Sequence, residues 1–171
     1  MATLAQELHE TSHCSALLRS ARAVGLNSTE DFIRLGVARG CYHYGPGYPA
    51  SKSDPGLEII SNEDLVALLL LGSNEYEPFA IRCAAQLIST CDAERLAFVA
   101  RRERVGRSLA YIANAALKHD AISNGFWRNL LDRLGEQAPV PDGVMPHWSR
   151  FVSQTGVTRD GQEIIKWLKC L

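Results

Sequence analysis

Five arginines crowd into a short stretch of the chain: Arg95, Arg101, Arg102, Arg104 and Arg107, opposed over that span only by Glu103. A guanidinium can donate two coplanar hydrogen bonds to a phosphate, so converging arginines suit phosphate binding. On one unbroken helix, at about 100° per residue, these five point around most of the cylinder. A chain reversal near Arg104–Gly106 instead brings several together, and Gly106 lets the backbone approach a phosphate. The candidate nucleic-acid contacts are therefore Arg101, Arg102, Arg104, Gly106 and Arg107. The plainer alternative is a solvated helix end whose arginines pair with nearby Glu and favour the C-terminal dipole.

A second pattern, His9-Glu10-Thr11-Ser12-His13, matches His-Glu-x-x-His. On a helix, imidazoles at i and i+4 share a face and can bind one zinc, whose water the Glu activates. His9 and His13 as ligands with Glu10 as catalytic base make a small zinc metallohydrolase the alternative function. The flanks do not fit: Glu7 and Ser15 stand where neutral apolar residues belong, and His9 and His13 lie opposite Leu4 and Leu8. The leading expectation is accordingly no catalytic residue, no metal and no cofactor. A non-catalytic zinc site from His13, Cys14, Cys41 and His43 has suitable ligand types, but no spacing brings the two segments together.

Tyr42, Tyr44 and Tyr48 lie in a Gly/Pro-rich stretch and offer three phenol rings for stacking on bases, or for covering the core. Gly47 to Ser53 ends in Lys52-Ser53 but lacks the glycines of a phosphate loop. No nucleophile elbow or dinucleotide fingerprint is present.

The elements that must position these residues read as helices. One is expected from about Thr3 to Ala23, ended by Gly25. Another follows the Ser28 cap, carries Phe32, Ile33, Leu35 and Val37, and stops at Gly40. Ser61 caps a helix running through Leu71. Pro78 opens one with Ala80, Ile81, Ala84, Leu87 and Ile88 as its apolar stripe. Asp92 caps the segment holding Leu96, Val99 and Ala100, and Leu109 to Leu117 forms an Ala-rich helix. Asn124 or Gly125 opens the last, closed by Gly135. The expected organisation is a helical domain over 1–135 with an irregular loop at 40–56, then a Pro-rich hinge at 136–146. A C-terminal helical appendage follows at 147–171, expected to pack back on the body, with two amphipathic pieces: Trp148, Phe151 and Val152, then Ile164, Ile165, Trp167 and Leu168. Its alternative use is partner docking, including homo-oligomerisation.

The fold class expected is all-α, a compact multi-helix bundle. Composition agrees with a globular chain: 171 residues, 46% hydrophobic, 22% charged and a net charge of −1, which excludes a strongly basic nucleic-acid binder but not a local basic patch. The longest apolar run, Leu65 to Leu71, is too short for a membrane span. The first residues lack a basic-then-apolar leader pattern, and five cysteines without regular spacing suggest free thiols. Together these give a cytoplasmic expectation.

The run Ser61-Asn62-Glu63-Asp64-Leu65-Val66-Ala67-Leu68-Leu69-Leu70-Leu71-Gly72-Ser73 resembles the N-terminal helical domain of the RadC family of DNA-repair-associated proteins. That family has a Ser-Asp-x-Glu-Leu-Leu-Ala-like run ending in a Gly-containing turn. The likeness continues through Ala84, Leu87 and Ile88, then through Asp92-Ala93-Glu94-Arg95-Leu96, Val105-Gly106 and Ala110. It spans about residues 57–117. It implies helix-hairpin-helix-like packing and DNA association. Two departures bear on that implication: Arg104 replaces the first glycine of the Gly-hydrophobic-Gly turn, and the family's His-x-His metal motif is missing. Catalysis is thus not implied. HEAT-like helix pairs over 62–90 and 92–118 are the alternative architecture, a scaffold subunit. The leading expectation is a non-enzymatic binding module for DNA or a protein partner.

Overall fold

Four short polar side chains start four helices. Ser15, Ser28, Ser61 and Asp92 each accept a hydrogen bond from the backbone N–H three residues on, satisfying a donor that the first helical turn leaves orphaned. In the computed structural model, which describes residues 1–11, 13–41 and 58–171, eight α-helices follow in order. They are α1 (Leu4–Glu7), α2 (Ala16–Ala23), α3 (Thr29–Ala38), α4 (Asn62–Leu70), α5 (Pro78–Leu87), α6 (Ala93–Arg102), α7 (Gly106–His119) and α8 (Asn124–Leu134). Pro78 occupies the first turn of α5, where its missing N–H has no helical acceptor to lose. Tyr42, Tyr44, Tyr48 and His43 lie outside the described residues.

The ends of α1, α2, α3 and α6 follow one rule. Gly25 and Gly40 adopt positive φ just past α2 and α3. Leu26 N–H then bonds Ala21 O, and Cys41 N–H bonds Gly36 O, closing each last turn. The same termination occurs at two residues that are not glycine. At His9 (φ 56), Glu10 N–H bonds Ala5 O at 2.7 Å. At Arg104 (φ 59), Val105 N–H bonds Ala100 O at 2.9 Å. The turn at His9 splits the helix expected over Thr3 to Ala23 into α1 and α2, with 8–11 and 13–15 non-helical between them.

The core centres on α4, whose Leu65 to Leu70 are all buried, as is Leu71 just past it. A helix apolar all round must be enclosed, and α4 packs against α2, α3, α5 and α6. Its Glu63 is buried too, and accepts the Asp92 N–H at 2.9 Å, tying α4 to the start of α6. On the far side α8 packs on α6 and α7, burying Trp127, whose Nε1–H donates to the buried Asp120. No helix among the described residues is long and apolar enough to cross a membrane.

The protein is helix-rich rather than all-α. In place of a helical tail, β1 (Val152–Val157) and β2 (Glu163–Trp167) form an antiparallel hairpin with an irregularity between Gln154 and Gly156. Asp160-Gly161 supplies its turn: Gly161 takes φ +81, and Thr158 N–H bonds Gln162 O at 2.8 Å. The hairpin lies against the helices. Trp167 meets Trp127 edge-on at 5.8 Å, Phe151 is buried beside it, and Trp148 stacks on His119 at 3.9 Å.

Candidate nucleic-acid interface

The chain reverses between α6 and α7 through Glu103, Arg104 and Val105. Val105 is buried, Glu103 is 2% exposed and Arg104 projects into solvent. Ordinary L-residues avoid the left-handed region, at roughly 1–2 kcal/mol. Arg104 nevertheless sits there, at the position the helix termination assigns to glycine. Its guanidinium has no hydrogen bond or ion pair among the described residues.

Glu103 is what fixes the turn. Ser15 Oγ donates to its Oε2 at 2.6 Å, and Arg102 Nε donates to its Oε1 at 2.7 Å. His13 Nε2 stands 3.9 Å away. In the sequence Glu103 shows only as a charge against the arginines, because nothing local announces a partner as remote as Ser15.

The five candidate residues divide by what they touch. Arg107 is a strap: it donates to Leu8 O (2.7 Å), Ala138 O (3.2 Å) and Pro139 O, and pairs with Glu10 at 3.2 Å. Gly106 is buried, with Gln137 Oε1 2.9 Å from where a Cβ would stand. Arg102 is exposed but pairs with Glu103 and with Asp64 at 3.4 Å. Arg101 is exposed and donates one bond, to Arg133 O at 2.6 Å, leaving its other donors outward. Arg101 and Arg104 thus carry the presentable positive charge.

A cleft of about 480 Å³ opens beside the turn, lined by Arg101, Arg104, Glu103, His13 and Ser73 among others. Ser73 Oγ is buried there without a hydrogen-bond partner among the described residues. On the solvent side of α6, Phe98 is 57% exposed and lies three and four residues from Arg95, Arg101 and Arg102, so all four share a face. The Arg102 guanidinium lies 6.0 Å from its ring centre. The helical wheel carried the signal for Phe98, an aromatic residue opposite Leu96, Val99 and Ala100.

The His-Glu-x-x-His residues do not share a helical face. α1 ends at Glu7, His9 turns the chain in the left-handed conformation, and Glu10 engages Arg107. Of the second zinc set, His13 faces Glu103. Cys14 is exposed and accepts from Arg19 Nη1 at 3.1 Å, whereas Cys41 is fully buried. No group of three or more His, Cys, Asp or Glu side chains arranged for a metal occurs among the described residues.

The chain matches no protein-family model, no curated protein and no solved structure.

Proposed function

We propose that the protein is a non-enzymatic module that binds nucleic acid at the α6–α7 turn, with Arg101 and Arg104 holding phosphates and Phe98 stacking on a base. The observation that carries this reading is Arg104. Its backbone closes α6 at the cost of strain that a glycine would not carry, while its side chain, exposed and without a partner among the described residues, adds nothing visible to the fold. Strain of this kind is characteristic of functional sites. The rest of the site supports it. Glu103, pinned by Ser15, holds the turn rigid, so the arginine is presented rather than left to wander. Phe98 between arginines is the pairing of aromatic face and cation that single strands use.

Arg102, Gly106 and Arg107 belong to the same region with different duties: Arg102 flanks Phe98, while Gly106 and Arg107 let the segment at 136–140 close against α7. The RadC-like reading of residues 57–117 points the same way, toward helix-hairpin-helix packing and DNA association.

Fluorescently labelled single-stranded, duplex and branched DNA, titrated across salt, tests the proposal. Binding that weakens steeply with salt, and weakens further in Arg101→Ala/Arg104→Ala, is the expected result. Failure to bind any of the three at low salt overturns it.

A further inference from the structure

The end of α3 and the end of the chain bring two thiols together. Cys41 Sγ and Cys170 Sγ lie 2.9 Å apart, although 129 positions separate them in sequence. Both thiols are free. The approach is built into the backbone. Gly40, at φ +103, leaves room for the C-terminal residues: a Cβ there would stand 2.7 Å from Leu171 O and 3.5 Å from Cys170 Cβ. On the other side, Leu168 N–H bonds Phe151 O at 2.8 Å, and Lys169 Nζ reaches Asp120 at 2.9 Å and Ser123 Oγ at 2.6 Å. Residues 168 and 169 are thus tied to the helical body, and residue 170 is delivered to Cys41 by its neighbours.

We propose that Cys41 and Cys170 form a reversible disulfide on exposure to a low-molecular-weight disulfide such as oxidised glutathione, fastening the C-terminal strand to the end of α3. Cys170 is half-buried and Cys41 fully buried, which fixes the order of events. The Cys170 thiolate attacks one sulfur of the oxidant, forms a mixed disulfide and expels one thiolate. Cys41, its proton passing to the departing thiolate, attacks the Cys170 sulfur and expels the second. The balance is one small disulfide plus two protein thiols giving one protein disulfide and two small thiols. Two electrons pass from the protein sulfurs to the oxidant. The hydrogen bond to Cys41, together with burial, pushes the Cys170 thiol up from its ordinary range, so the reaction quickens as pH rises.

The test uses the whole chain, reduced, freed of reductant and incubated with oxidised glutathione at mildly alkaline pH. After blocking with N-ethylmaleimide and digestion with trypsin, mass spectrometry should find residues 40–52 joined to 170–171, with Cys14, Cys83 and Cys91 blocked. The thermal midpoint should rise on the order of 10 °C, because the bond closes a long loop in the unfolded chain. Dithiothreitol should return both readings to the starting values, Cys14→Ser should behave as the parent, and Cys170→Ser should give neither change. Glutathione retained on Cys170, a link through Cys14, Cys83 or Cys91, a link between two chains, or a bond that leaves the midpoint unmoved would each overturn the proposal. The wild-type measurement stands without any variant, so a poorly folding substitution does not weaken it.

Discussion

Ser15 and Glu103 meet at 2.6 Å across 88 positions of sequence, and the same Ser15 hydroxyl accepts the Leu18 N–H that opens α2. One oxygen therefore caps a helix and satisfies a carboxylate that is 2% exposed. The α6–α7 turn is held to the N-terminal helices at this point.

Removing that oxygen has two effects at once. Ser15→Ala takes away the cap, worth about 1 kcal/mol, and strips a buried carboxylate of a donor, which costs about 1–3 kcal/mol. Chemical denaturation of Ser15→Ala should show a lower midpoint with an unchanged denaturant slope. The loss should total about 2–4 kcal/mol on those two terms. Ser15→Thr, which keeps the hydroxyl, should recover most of it. An alanine variant as stable as the parent would remove Ser15 as the tie.

Arg104 sets stability against binding. Glycine at that position relieves the left-handed strain, so Arg104→Gly should stabilise the protein by about 1 kcal/mol. The same variant should bind DNA more weakly, with the slope of affinity against salt reduced by about 1. Unfolding and salt-titrated binding of the one variant should therefore move in opposite directions. A variant that gains stability and binds as before would leave the strain without a purpose.

Arg107 should behave in the reverse manner. Its guanidinium is engaged by the carbonyls of Leu8, Ala138 and Pro139 and by Glu10. Arg107→Ala leaves several acceptors without their donor, and a loss of about 2 kcal/mol in unfolding free energy is expected. Measured below its unfolding range, the variant should keep the parent's salt slope. A slope reduced as in Arg104→Gly would move Arg107 from the fold to the interface.

Phe98 separates stacking from charge. Loss of one base–aromatic stack is worth about 1–3 kcal/mol, so Phe98→Ala should weaken single-stranded DNA binding about tenfold or more. The ring carries no charge and neutralises no phosphate, so the salt slope should stay as it is. Duplex binding should change little, because paired bases do not offer their faces. Equal losses on both substrates would replace stacking with simple packing.

Local signals in the sequence marked most helix limits. Ser28, Ser61 and Asp92 cap, Pro78 opens, and Gly25, Gly40 and Gly135 follow helix ends, each for a reason contained within three or four residues. The break at His9 was not legible, since nothing in a histidine advertises a left-handed turn. The hairpin has a signal in Asp160-Gly161, but Ile164, Ile165, Trp167 and Leu168 fit helical spacing equally well. The arginine spacing made a chain reversal near Arg104–Gly106 the condition for the arginines to converge, without itself requiring one. Which arginines the reversal leaves outward was not legible, because Arg107 is settled by partners at 8, 138 and 139 that no local pattern foretells.

His119 and Trp148 make the last prediction. Their rings stack at 3.9 Å with 12° between planes, joining α7 to the turn that precedes the hairpin. Burial, then the nearby charges of Lys118 and His147, hold the His119 imidazole below its usual range. The unfolded chain therefore takes up the proton first as pH falls. Stability from this residue is intact above the unfolded value near 6.5, declines below it, and levels off once the folded imidazole is itself charged. Unfolding measured between pH 7.5 and 5 should show this decline in the parent. His119→Phe, which keeps an aromatic ring on Trp148 and cannot be charged, should flatten that part of the profile. The flattening should appear at every salt concentration for the burial contribution, and shrink at high salt for the part due to Lys118. A variant whose stability still falls from pH 6.5 as steeply as the parent's would place the dependence on another group.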